Sequence, residues 1–135
     1  MRISSAANER LKAARRIRDG RDRSRLFIEG ARLAEEALGA GLRLQEAYWT
    51  EALAESRPTL AAQLSQQAES PAVLSEAAMQ SLADTVHPQG VILIATRPEP
   101  PPAAFWQNLP AQPLLLALDA VQDPGNVGTL IRTAE

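Results

Sequence analysis

The chain has 135 residues, 45% hydrophobic and 22% charged, which fits about one globular domain and argues against wholesale disorder. It has no cysteine and a single histidine, His87, which excludes disulfide scaffolds, zinc ribbons and thiol catalysis and leaves no ligand set for a His-based metal site or a serine triad. The net charge of −2 hides an asymmetry: residues 1–32 hold ten basic residues against four acidic ones, net +6, whereas residues 33–135 hold four against twelve, net −8.

Taken in chain order, residues 5–18 read as a helix with Ala6, Ala7, Leu11, Ala14 and Ile17 as a loose apolar stripe. Gly20 ends that pattern, and Arg21–Arg25 is a charged connector. Leu26–Ile28 is a short strand ending at Glu29-Gly30. Ala31–Leu38 is a helix with Leu33, Ala34 and Ala37 inward, closed by Gly39 and Gly41. Leu42–Thr50 is a strand with Tyr48 and Trp49 near its end. Residues 58–70 are helical, with Leu60, Ala61 and Leu64 on one face. Pro71–Leu74 is a strand, and Ser75 caps a helix through Leu82 with Ala78, Met79 and Leu82 inward. Val91–Ala95 is a continuous apolar run of the kind buried on both faces of a sheet. Alternating strands and helices predict an α/β layered fold with a mixed or parallel sheet.

Composition changes at Arg97. Pro98-Glu99-Pro100-Pro101-Pro102 tends to polyproline II, a stiff spacer of about 3 Å per residue. This change predicts a division into residues 1–97, a Pro-rich linker over 98–113 and a last segment over 114–135. Phe105–Pro113 is expected to be irregular, Leu114–Leu118 a buried strand, Asp119–Asn126 a loop, and Val127–Glu135 a helix capped by Asn126. One strand and nine helical residues cannot form a core of their own, so truncation of a longer protein is expected. No run of 18 apolar residues and no apolar leader is present, so a cytoplasmic protein without a membrane partner is expected.

The last segment is the most informative. Val127, Leu130, Ile131 and Ala134 fall at i, i+3, i+4 and i+7 and form the stripe expected to be buried. Gly128 and Arg132 lie one turn apart on another face. A glycine there leaves room for a ligand beside the guanidinium, and the Pro124-Gly125-Asn126 turn offers free backbone N–H groups to an anion. An ordinary strand-to-helix turn with a surface arginine accounts for the same residues. Asp119 and Asp123 read as loop residues, and no metal site is expected.

The run Leu118-Asp119 through Gln122-Asp123-Pro124-Gly125-Asn126, then Gly128, Arg132 and Thr133-Ala134-Glu135, resembles the first motif of the SpoU/TrmH-type RNA ribose 2′-O-methyltransferases of the SPOUT superfamily. Asn8–Arg16, Phe27-Ile28-Glu29-Gly30 with Glu35-Glu36-Ala37, and Pro88-Gln89-Gly90-Val91 resemble the family's substrate-binding domain in the same order. The resemblance implies that residues 1–97 form an RNA-binding domain similar to ribosomal proteins that bind kink-turn RNA. It implies that residues 114–135 begin a trefoil-knotted catalytic domain that dimerises, with Asn126 and Arg132 in the active site. It also implies that the methyl donor is S-adenosylmethionine. The motifs that would build the donor pocket are absent, so the chain alone is expected to be inactive, without a cofactor-binding residue, and monomeric.

Within that reading, Arg10, Lys12, Arg15, Arg16, Arg18, Arg21, Arg23 and Arg25 are the candidates to bind RNA phosphates. Thirteen of fourteen basic residues are arginine, the side chain that forks onto phosphate. A solvated helix face accounts for the same pattern. Phe27 is expected in the core, Tyr48 and Trp49 either pack at a strand end or stack on a base, and His87 is a loop residue. The expected substrate is ribosomal RNA. Two other readings compete: a non-catalytic RNA-binding module of the ribosomal-protein type, and a small nucleotide-binding domain using the Gly125–Gly128 loop.

Overall fold

The computed structural model describes residues 1–99 and 102–134. Two compact units are present, Met1–Pro98 and Glu99–Glu135. Pro100 and Pro101 of the expected polyproline stretch, and Glu135 of the expected last helix, lie outside the described residues.

The first unit runs β1 (Arg2–Ile3), α1 (Glu9–Arg18), β2 (Arg25–Glu29), α2 (Ala31–Gly39), β3 (Leu44–Thr50), α3 (Glu51–Ser56), α4 (Pro58–Gln67), β4 (Ser70–Leu74), α5 (Glu76–Leu82) and β5 (Val91–Thr96). The strands form one mixed sheet in the order β1-β4-β3-β5-β2. β1, β4 and β3 are parallel, and β5 is antiparallel to both β3 and β2.

Side-chain alternation along the central strands divides the interior in two. Val91, Leu93 and Ala95 of β5 join Ala47 and Trp49 of β3 under α2, α3 and α4. Ile92 and Ile94 point the other way and join Tyr48, Ile3 and Leu74 under α1 and α5. All five residues from Val91 to Ala95 are inaccessible to solvent, as the unbroken apolar run predicted. The result is a three-layer α/β/α arrangement.

Several elements differ from the sequence reading. α1 starts at Glu9 because the Asn8 side chain accepts from Arg10 N at 2.9 Å and caps it there, leaving residues 5–8 outside. Two elements were not anticipated. β1 is only two residues long and exists through pairing with β4. α3 is nucleated by Thr50, whose hydroxyl accepts from Leu53 N at 3.2 Å. Leu33, expected inward on α2, is 51% exposed, while Ala31, Ala34 and Ala37 carry the buried face.

The second unit contains α6 (Ala103–Gln107) and α7 (Pro124–Ala134). α6 occupies part of the stretch expected to be irregular, and its Phe105 and Trp106 rings meet edge to face with centroids 5.3 Å apart. Leu114–Leu118 is not a strand: among the described residues it has no ladder partner, and its leucines are exposed. A buried-strand pattern becomes a strand only where a sheet receives it. For the same reason the α7 stripe is uncovered within this unit, with Leu130 and Ile131 exposed and Val127 half-buried.

Candidate nucleic-acid interface and the Asp123–Arg132 segment

Folding separates the eight front-end cations. Arg10, Arg15 and Arg18 turn back onto the protein. Arg10 Nε donates to Glu46 Oε2 at 3.2 Å, its Nη2 donates to the Ser70 carbonyl at 2.7 Å, and its guanidinium lies 5.3 Å from the Tyr48 ring centroid. The Tyr48 hydroxyl donates to the same Glu46 carboxylate. Burial, and then that hydrogen bond, push the Tyr48 phenol well above its usual range. Arg15 Nε donates to the Ser81 carbonyl at 3.1 Å, and Arg18 Nη1 donates to the Leu82 and Ala83 carbonyls, each at 3.1 Å. These carbonyls end α5, so both arginines satisfy groups that the helix cannot and meet its negative pole. Lys12 pairs with Glu9 at 2.7 Å in solvent, where such an ion pair contributes little.

Arg16, Arg21, Arg23 and Arg25 come together. With Ala13 and Asp22 they line a cavity of about 420 Å³ at the C-terminal end of α1 and the start of β2. Arg25 forks onto Asp22, with Nε and Nη2 at 2.9 and 2.7 Å from Oδ2. Asp22 Oδ1 also accepts from the Ser24 amide at 3.0 Å and from the Ser24 hydroxyl. Hydrogen bonds from Ser24 and Arg25 hold the Asp22 carboxyl at about 2. Arg16, Arg21 and Arg23 are at the surface, and among the described residues their side chains make no hydrogen bond or ion pair. The Asp-x-Ser-Arg spacing of Asp22 to Arg25 is an Asx-turn signal within what the sequence shows otherwise only as a charged connector.

At the other end of β2, two motifs far apart in sequence meet. Gln89 Oε1 accepts from Ala31 N at 3.0 Å and caps α2, whose own N-cap residue, Gly30, has no side chain to do so. A Cβ on Gly30 would stand 3.2 Å from that oxygen. The Glu29 carboxylate accepts from Asp84 N at 2.7 Å and from the Thr85 hydroxyl. Glu29, Arg32, Leu33, His87 and Gln89 line a second cavity of about 300 Å³ there. His87 is an exposed loop residue. Tyr48 and Trp49 are buried, which removes base stacking for both. Phe27 is half-buried on the edge strand, packed against the α1/α5 side of the core.

In the second unit, α7 begins at Pro124 rather than Val127, and its cap is Asp123 rather than Asn126. Asp123 Oδ1 accepts from Asn126 N at 2.8 Å, and proline at the first helical position has no N–H to satisfy. The cap carboxylate also explains Gly125, where a Cβ would lie 2.9 Å from Asp123 Oδ1. Asn126 and Arg132 are both exposed. The Arg132 guanidinium lies back over Gly128, its Nη1 3.7 Å from where a Cβ would be, so it occupies the ground that the glycine leaves open. Among the described residues no three His, Cys, Asp or Glu side chains are grouped to hold a metal, and no helix is long and apolar enough to cross a membrane.

Residues 8–93 match the family model of the MRM3-like substrate binding domain. The chain is 33% identical over 136 residues to an uncharacterized tRNA/rRNA methyltransferase of Synechocystis, covering 98% of this chain and 48% of that protein. It is 31% identical to the Bacillus subtilis 23S rRNA (guanosine(2553)-2′-O)-methyltransferase RlmP, covering 98% and 50%. A crystal structure of an RNA 2′-O ribose methyltransferase superposes with a TM-score of 0.69 at 34% identity, covering 99% of this chain and 51% of that one. The chain thus spans about half the length of these two curated relatives.

Proposed function

The chain belongs to the MRM3-like substrate-binding domain family, and we propose that it is the RNA-binding half of an S-adenosylmethionine-dependent RNA ribose 2′-O-methyltransferase. In this reading the first unit is the substrate-binding domain, of the kind seen in ribosomal proteins that bind kink-turn RNA. Its arginine-rich front end meets RNA, with ribosomal RNA as the target. Residues 114–135 open a knotted SPOUT domain, a rare exception to ordinary chain connections. The whole protein acts as a cytoplasmic homodimer, and this chain alone is inactive and monomeric.

The observation that carries the catalytic assignment is the Asp123–Arg132 geometry. The Asp123 cap sets where α7 starts, and α7 holds the Arg132 guanidinium in solvent beside the small Gly128. A guanidinium stays protonated at neutral pH, so its role is electrostatic rather than that of a base. It stabilises the alkoxide that develops as a ribose 2′-hydroxyl gives up its proton. Asn126, one turn before Leu130, lies in the first turn of the same helix. S-adenosylmethionine supplies the methyl group in the whole enzyme. The cavities described above are lined by residues of the first unit.

The test uses the full-length protein and transfer of labelled methyl groups to RNA. Arg132→Lys keeps measurable activity, while Arg132→Ala loses about a further 10²-fold, the scale of removing one charge-stabilising donor. Equal losses refute the electrostatic role.

A further inference from the structure

Building on the RNA-binding reading, we propose that the cavity lined by Arg16, Arg21 and Arg23 is a discrete phosphate site that seats the sugar-phosphate backbone of RNA. The arginines Arg10, Arg15 and Arg18 of the same helix then serve the fold alone.

The chain makes this site by how α1 ends. Arg21 N donates to the Arg16 carbonyl and Gly20 N to the Ile17 carbonyl, both at 2.9 Å, with Gly20 at φ +71°. That is the glycine-terminated helix ending in which two backbone bonds reverse the chain. It folds the connector back so that Arg21 and Arg23 share a cavity with Arg16. The cavity lining has four guanidinia against one carboxylate, a net charge of +3 in a chain whose total is −2. The one carboxylate, Asp22, is taken up by Arg25 and Ser24 and pins the connector. Three arginines therefore converge without a counter-charge among the described residues. A solute oxyanion supplies that charge, and forked guanidinium donors match phosphate oxygens. The lining has no aromatic or large aliphatic side chain, only Ala13, so it lacks the apolar anchor that dominates peptide interfaces. The cavity is also separate from the one at the Gln89 end of the domain: Arg25 at the start of β2 lines the first and Glu29 at its end lines the second.

The experiment uses the 135-residue chain in two arms. In the first, inorganic phosphate is titrated and amide NMR shifts are followed. Changes concentrated on residues 16 and 20–24 are expected, and changes spread evenly over all arginines overturn the site. In the second, anisotropy of a labelled hairpin RNA is measured from about 50 to 200 mM salt. The triple variant Arg16→Gln/Arg21→Gln/Arg23→Gln loses at least about tenfold in affinity, and its log–log salt slope is shallower by about 0.7–0.9 for each phosphate that the protein no longer neutralises. A charge-matched control, Arg2→Gln/Arg43→Gln/Arg57→Gln, removes three exposed arginines paired with Glu51, Glu69 and Glu35. It stays within about twofold of the parent at about 200 mM salt, where exposed charges beyond a Debye length are screened. Equal losses in the two triples overturn the proposal. RNA binding that the first triple leaves intact overturns the cavity and spares the RNA reading. Phosphate shifts at the cavity with no RNA binding at any salt overturn the RNA reading and leave an anion site. Displacement of RNA by polyglutamate at a lower concentration than by polyphosphate points to an acidic polypeptide and also overturns the proposal.

Discussion

Gly90→Ala is the sharpest probe of how the Gln89 end of the domain is held. Gly90 has φ +76°, and a Cβ there would stand 2.7 Å from Thr50 Oγ1. The backbone cannot withdraw, because Thr50 N donates to the Gly90 carbonyl at 3.0 Å. Thr50 is buried, and its hydroxyl caps α3 through Leu53 N. An alanine therefore adds two costs. The left-handed conformation costs about 1–2 kcal/mol. Displacing the Thr50 hydroxyl from its cap costs about 1 kcal/mol more. The sum, about 2–3 kcal/mol, corresponds to a Tm lowered by roughly 8–24 °C for a domain of this size. Urea unfolding followed by circular dichroism measures it directly. In a Thr50→Ala background the oxygen is gone, and only the strain of about 1–2 kcal/mol should remain. A loss below about 1 kcal/mol, or the same loss in both backgrounds, refutes the steric argument.

Gln89→Ala removes the acceptor for Ala31 N and should cost about 1 kcal/mol, seen as faster hydrogen exchange of the amides in the first turn of α2. Unchanged protection there would mean the cap is dispensable. Tyr48 is the single tyrosine, so phenolate absorbance reports it alone. Its folded pKa is raised, so the stability it contributes is whole below the unfolded value of about 10 and is lost as pH climbs through the folded one. Ionisation should then coincide with alkaline unfolding. Phenolate appearing near pH ~10 with the far-ultraviolet signal intact would contradict the burial argument.

Much of the fold is legible in the sequence where a pattern is local. Val91–Ala95 announces a central strand because five adjacent apolar residues have no exposed face to use. Ser75 announces α5 because its hydroxyl is followed at once by helical spacing. The misses share another cause. Leu114–Leu118 has the composition of a buried strand, but strand formation requires a partner, and the described residues supply none. β1 is invisible in sequence for the converse reason: two residues become a strand only because β4 lies beside them. At α7 the expected Asn126 cap gives way to Asp123, because proline can occupy the first helical position at no hydrogen-bond cost and the helix starts there.

The site shows the same division. The order of charged residues along the chain puts the excess positive charge in the first 32 residues, and a run of residues near the C-terminus offers Asn126 and Arg132 as candidates only. Which cations are available to a partner is decided only in three dimensions. Arg10, Arg15 and Arg18 are chemically identical to Arg16, Arg21 and Arg23, yet the first three spend their donors on Glu46 and on carbonyls at the start of β4 and the end of α5. Charge belongs to a residue wherever the chain puts it, whereas a free hydrogen-bonding direction depends on what the fold brings within about 3 Å.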